Sequence, residues 1–411
     1  MVKIRLGTMM FIQYIIWGSW YVTLTNYLTS TLGFSGTQAG AVFGTTALAS
    51  LAAPFFVGLV ADRFFATERV MATLYALGAL LLVLVSQVTS FAAVYTLMLA
   101  FCLTYFPTIA LTNAMTMRQV ADPGRDFPLI RVVGTIGWVV INALVGFMGV
   151  EATTTPFLLG AAACVVMCVF SLVALPHTPP PARGQKVTVR SVLGLDALAM
   201  MKDRSYLVFV IASFLACVPL TFYYSFTNLY LNEAGVQNAA GKMSLGQVSE
   251  IAMMVAMPLV FRLFSVRGIL LMGLGSWALR YVLLAYGDPG AAVWMFYLAI
   301  ILHGVCFDFF FVTGQLYTDQ EAPSHLRSTA QGFITVVTYG FGMLVGSFLS
   351  GYALDYFSSG AAGAVVRNWQ SFWLSSAAMS AAIGLLVLVF FQSPARIRAK
   401  TSEAAAAEAP A

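Results

Sequence analysis

Charge is what this sequence is short of. Aspartate, glutamate, lysine and arginine make up 9% of its 411 residues, and hydrophobic residues make up 60%. A soluble domain carries roughly 25% charged residues. A water-facing surface cannot be assembled from so few, so most of the surface must face lipid. Histidine is scarce too, with three, and the five cysteines all fall inside apolar runs. Cys164 and Cys168 share a helix face, but they read as small apolar packing residues and imply neither a metal site nor a disulfide framework. The sequence has no glycine-rich phosphate loop, no zinc-ligand spacing and no plausible nucleophile triad, which argues against an enzyme. No cofactor or metal is expected. There is no basic face interleaved with exposed aromatics, so nucleic acid is not an expected partner.

Long apolar runs are what the chain has instead. They read as twelve helices near 6–29, 38–61, 70–89, 91–117, 129–150, 155–176, 205–231, 243–264, 268–287, 291–318, 328–355 and 369–392. Each is long enough to cross a hydrocarbon core of roughly 30 Å. The fold class is therefore an all-α integral membrane protein with twelve transmembrane helices. The first run continues past Trp17, Trp20 and Tyr21 without a prompt small-residue cleavage pattern, so a retained helix is expected rather than a signal peptide. One connection is long, proline-rich and basic, which suggests a water-exposed linker. The chain then divides into a bundle of six helices (1–176), a linker (177–204), a second bundle of six (205–392) and a tail (393–411) of alanine and glutamate with no packing face, expected to be disordered. Lys3, Arg5, Arg63, Arg69, Arg118, Arg125, the linker bases, Arg262, Arg267, Arg327, Arg396, Arg398 and Lys400 fall on one side, against Lys242 and Arg367 on the other. The excess of positive charge places both termini and the linker in the cytoplasm.

Ionisable residues inside apolar spans are costly and point to function. Arg131, Glu250, Arg280 and Asp308 are the candidates, although Arg131 can also snorkel to an interface and Arg280 can serve as a structural partner for a carboxylate. Gln247 and Glu250 are three apart and share a helix face. Arg131, Thr135 and Trp138 share another, offering a cation, a hydroxyl and an indole. The seventh run carries Thr221, Phe222, Tyr223 and Tyr224 after the helix-bending Pro219, and Phe307 adjoins Asp308. Aromatic rings with a few polar groups suit a flat, hydroxylated ligand. His303 either lines the same path or packs as a neutral core residue.

The halves look weakly alike, which fits a transporter built from six-helix repeats. Gly58 with Asp62-Arg63 resembles the loop motif of the major facilitator superfamily. Over nearly its whole length the sequence resembles that superfamily's nucleoside:proton symporters. The resemblance is carried by Trp17-Gly-Ser-Trp20, Thr104-Tyr-Phe-Pro-Thr108, Asp126-Phe-Pro-Leu-Ile-Arg131, Gly134-Thr135-Ile-Gly137, Gln247-Val-Ser-Glu250, Arg280, Ala285-Tyr-Gly-Asp-Pro289 and Phe307-Asp-Phe-Phe310. It implies the major facilitator fold, with two six-helix bundles, and proton-coupled nucleoside uptake by alternating access in a bacterial inner membrane, by a monomer. It also implies binding or coupling roles for Arg131, Thr135, Gln247, Glu250, Phe307 and Asp308. Asp308 is the first candidate for carrying the proton and Glu250 the second. Trp138 stands where a family member has phenylalanine. Thr221 and Tyr224 stand where it has a glutamine and an asparagine that read the nucleoside, so the solute is open at this point. A sugar or other polar metabolite remains an alternative, as does a membrane sensor that binds without transporting.

Overall fold

Backbone buried in lipid must satisfy its own hydrogen bonds, and this chain does so almost entirely by helices. The computed structural model describes residues 1–56, 65–179, 193–360 and 365–392. Its long helices are α1 (Val2–Tyr21), α2 (Gly36–Phe56), α3 (Thr67–Val85), α4 (Phe91–Gln119), α5 (Pro123–Phe147), α6 (Thr155–Val173), α7 (Arg204–Glu233), α8 (Ala239–Leu263), α9 (Val266–Tyr286), α10 (Val293–Glu321), α11 (Ser324–Tyr356) and α12 (Trp369–Phe390). Among the described residues eleven helices are long and apolar enough to cross a membrane. The first helix, α1, lies outside that set, yet its apolar face joins the common core.

Local chemistry sets the helix ends. Asp122, Asp203, Ser265 and Asn368 each accept a hydrogen bond from a first-turn amide, capping α5, α7, α9 and α12. The Asp122 cap explains why α5 starts at Pro123, several residues ahead of the apolar run that marks it in the sequence. Among the described residues, three wide π-type turns interrupt the helices, at Tyr27–Thr31, Asp308–Val312 and Val336–Gly342. Such turns gather at functional sites. Ser358–Ser359 and Val366–Arg367 form a two-residue antiparallel ladder between α11 and α12.

The two halves use one packing plan. In the first, α1 packs on α5 and α6, α3 on α4 and α6, and α2 on α4. In the second, α7 packs on α11 and α12, α9 on α10 and α12, and α8 on α10. Shifting the first set by six helices reproduces the second, so the faint sequence likeness of the halves corresponds to a repeated unit. Across the seam α2 meets α11, α5 meets α8, and the continuation of α1 meets α7. The α2–α11 crossing is close because it is built from small residues. A Cβ on Gly40 would collide with the Ser347 carbonyl, and one on Gly351 with the Gly36 backbone.

Residues 180–192 of the expected linker, the Gly58–Arg63 motif and the tail from 393 lie outside the described residues. The described ends of the linker touch the bundle at single points, while His177, Leu195, Leu198 and Ala199 stay exposed. His177 Nδ1 and the Thr178 amide meet the Glu68 carboxylate at 2.7 and 3.0 Å. The short 3-10 helix Leu195–Lys202 buries Ala197, and Gly194, at φ +65°, lies against Phe333 of α11.

Candidate functional site

The seam between the halves collects most of the polar side chains that the sequence singles out. On the first half, α1 and α5 approach closely because Gly137 lies directly against the Phe11 backbone. This places the Arg131 guanidinium over the Tyr14 ring, 4.2 Å from its centre. It also brings the Trp138 ring edge-on to Trp17 at 5.4 Å and to Tyr21 at 5.8 Å. Tyr21 reaches across the seam to Tyr224 of α7, ring centres 5.9 Å apart. Thr135 is half-buried on the same helix as Arg131 and Trp138.

On the second half, Gly304 of α10 admits the α8 backbone at Ser249 and Glu250. Gln247 and Glu250 therefore stand at the seam rather than behind α10. The Glu250 side chain is 26% exposed, and one carboxylate oxygen is 3.8 Å from His303 Nε2. His303 contacts the Tyr224 hydroxyl at 3.4 Å and stacks on Tyr223. Phe307 is half-buried beside His303 and Phe311. Trp138, Tyr223, Tyr224 and Gln247 line one gap between the halves. The arrangement offers an aromatic box, a cation and a carboxylate on facing helices. It can hold a planar ring by stacking and hydroxyls by charge-assisted hydrogen bonds.

Two of the expected residues, Thr221 and Asp308, do not face the gap. Thr221 is fully buried, donates to the Cys217 carbonyl at 2.7 Å, and packs against Met343 and Gly346 of α11. It faces helix packing, although Tyr224 three residues on faces the seam. Asp308 follows Phe307 but is also fully buried, and neither of its carboxylate oxygens has a hydrogen-bond partner.

Sequence reasoning missed the seal at the end of the bundle away from the termini. Glu151, between α5 and α6, is buried there and accepts from Asn228 Nδ2 at 2.6 Å, Asn232 Nδ2 at 2.8 Å and the Ala240 amide at 3.0 Å. All three donors belong to the second half. Asn26 Nδ2 donates to Asn228 Oδ1 at 3.1 Å, and Asp355 accepts from the Gly36 and Thr37 amides at 2.5 and 2.8 Å. The available signal was a lone acid in a short loop on the side poor in basic residues. Glu151→Ala removes an acceptor whose bonds contribute roughly 1.5–3 kcal/mol each. We expect this end to open more often. A cysteine at Ser244, behind the seal, should then be labelled roughly tenfold faster by an impermeant thiol reagent; an unchanged rate means the contact does not hold the halves together.

A profile of the nucleoside H+ symporter family matches residues 1–396. The "Putative nucleoside transporter YegT" of Escherichia coli (strain K12) is 41% identical over 399 residues, covering 94% of this chain and 93% of that protein. The xanthosine permease of Escherichia coli (strain K12) is 31% identical over 405 residues, covering 95% of each. The crystal structure of the nucleoside transporter NupG superposes with a TM-score of 0.87 at 30% identity, covering 95% of this chain and 99% of that one.

Proposed function

Because this chain belongs to the nucleoside H+ symporter family, we propose that it carries nucleosides inward across the cytoplasmic membrane, driven by protons, with the seam site as its binding site. It is a multi-pass membrane transporter of the major facilitator type. The observation that carries the site assignment is the aromatic box of Trp17, Tyr21, Trp138 and Tyr224 closed across the seam, with Arg131 over Tyr14 on one half and Glu250 beside His303 on the other. A ligand held between groups on both halves is released when the halves separate, which is what alternating access requires.

In this reading Trp138, Tyr224 and Phe307 stack on the base. Gln247 and Glu250 take ribose hydroxyls or a base edge, and Thr135 adds a hydroxyl beside Arg131. The bundles 1–176 and 205–392 move about the seam as units, and the protein acts as a monomer. The one-sided basic loops put both termini in the cytoplasm. The end sealed by Glu151 then faces outward. A thermal-shift screen of the purified protein against nucleosides, free bases and sugars tests the assignment, since a ligand that binds only the folded state raises the melting temperature. Nucleosides should stabilise and sugars should not; stabilisation by sugars alone overturns it.

The site residues also divide by what they read. Tyr224 lines the seam and Thr221 does not, so Tyr224→Asn should reorder nucleoside affinities, shifting individual ratios roughly tenfold. Thr221→Ser should leave the order intact. Competition for uptake of one labelled nucleoside by a panel of others makes the comparison. An unchanged order in the Tyr224 variant means that this phenol does not read the ligand.

A further inference from the structure

Asn142 stands within α5, one turn beyond Trp138 on the same helix face. It is 1% exposed, and a buried amide within a membrane span is costly unless both of its ends are used. Among the described residues the buried carboxamides are Gln13, Asn26, Asn142 and Asn228. Three of these are complete. Gln13 donates to Thr108 Oγ1 at 3.1 Å and accepts from the Tyr75 hydroxyl. Asn26 donates to Asn228 Oδ1 at 3.1 Å and accepts from Ser30 Oγ at 2.9 Å. Asn228 donates to Glu151 and accepts from Asn26. Asn142 is the exception. Its Nδ2 donates to the Trp138 carbonyl at 2.9 Å, while Oδ1 is buried with no partner among the described residues.

Turning the amide over does not cure this. A carbonyl oxygen only accepts, so the NH2 group must be the end that meets Trp138. Helix α1 lies against that end, since a Cβ on Gly18 would be 3.0 Å from Nδ2. What Asn142 has left to offer is an acceptor, and it lines the same gap between the halves as Trp138, Tyr224 and Gln247. The hydroxyls of that gap are engaged. Ser244 Oγ donates to the Ala240 carbonyl at 3.3 Å, and the Tyr224 phenol is 3.4 Å from His303 Nε2. Gln247 faces the gap half-buried from α8, so each half gives it one carboxamide. One turn further, Gly146 packs on Asn238 at the sealed end, and α5 carries no other polar side chain between Asn142 and that contact.

We propose that Asn142 is a specificity-determining residue whose Oδ1 accepts a hydrogen bond from an N–H on the edge of the nucleobase held against Trp138 and Tyr224. The proposal deepens the nucleoside reading of the seam site and rests on it. An orphaned acceptor calls for a ligand group that donates, an N–H or an O–H. The base supplies it because Asn142 belongs to the aromatic end of the α5 stripe. Trp138 is one turn away, roughly 6 Å along the axis, whereas Thr135 is two turns back, roughly 10 Å, toward Arg131. The groups suited to sugar hydroxyls, Thr135 and Glu250, therefore lie on the far side of the stacking rings from Asn142. A ring nitrogen or exocyclic amine that keeps its hydrogen completes the buried amide. An N-methyl group in the same place leaves the oxygen unfilled and presses carbon against it, and a site built to pair a polar edge rejects a ligand that cannot pair it.

The test compares wild type with Asn142→Leu, which keeps the bulk and removes the acceptor, and with Asn142→Ala, which serves if the leucine prevents folding. Isothermal titration is run on the purified full chain with uridine and 3-methyluridine, and with adenosine and N6,N6-dimethyladenosine. The 5′-deoxy analogue of each parent is included. For a parent that binds, wild type should hold the N-methyl analogue about tenfold more weakly. Both variants should bind that parent about tenfold more weakly than wild type does, and should hold parent and N-methyl analogue within about twofold of each other, because the interaction lost from either side is the same one. Their selection against the 5′-deoxy analogue should stay as in wild type. If Asn142 served only to hold α5 together, every ligand would weaken by one common factor and the parent-to-analogue ratio would keep its wild-type value; that result overturns the proposal. Selection lost against the 5′-deoxy analogue, with N-methyl selection intact, gives the oxygen to a sugar hydroxyl and overturns it as well. If neither parent binds wild type, it is the nucleoside reading itself that fails.

Discussion

Replacing Glu250 with glutamine is expected to weaken nucleoside binding roughly 10- to 100-fold, because hydrogen bonds to a charged acceptor contribute roughly 1.5–3 kcal/mol each and tenfold in affinity corresponds to about 1.4 kcal/mol. The amide keeps the size of the side chain but loses the charge that would accept ribose hydroxyls. Glu250 is partly exposed and is not buried among donors that need it for folding. The loss should therefore appear in ligand affinity and not in the melting temperature of the unliganded protein. Isothermal titration of wild type and variant decides it. Equal affinities would make Glu250 a structural partner of His303 and remove it from the ligand site.

Replacing Asp308 with asparagine is expected to abolish accumulation of nucleoside against its gradient while leaving exchange largely intact. Among the described residues, Asp308 has no hydrogen-bond partner and no ion pair holding it in place. The neutral amide is close in size to the carboxylic acid, and the variant should be about as stable as wild type. What it loses is the ability to bind and release a proton. A transporter whose halves still rock but no longer sense protons equilibrates its solute and does no more. The readout is uptake into proteoliposomes with and without an imposed inward proton gradient. If the variant accumulates as wild type does, the proton is carried elsewhere, and Glu250 becomes the leading carrier.

The spans were legible because apolar runs of twenty or so residues have few other uses, and the observed helices fall on them from Gly36–Phe56 to Trp369–Phe390. The seam residues were legible for a related reason. A charge such as Glu250 or Arg131 within a span is costly, so its presence points to a candidate site. Three things were less visible. Thr221 and Tyr224 share a spacing that suggests one face, but α11 packs close enough to claim Thr221, and no local pattern reports that. The aromatic box depends on α1 and α5 touching at Gly137, a contact between residues far apart in the chain. The Glu151 seal draws on asparagines and a backbone amide from the other half. Each is a property of which helices meet, whereas periodicity reports only which face of one helix is apolar.

The most direct measurement is uptake of a labelled nucleoside by the purified wild-type protein in liposomes, with the outside made acid relative to the inside. Proton-driven transport requires the internal concentration to rise above the external one and to fall back when a protonophore collapses the gradient. Internal nucleoside that only equals the external concentration, with or without the protonophore, would contradict it.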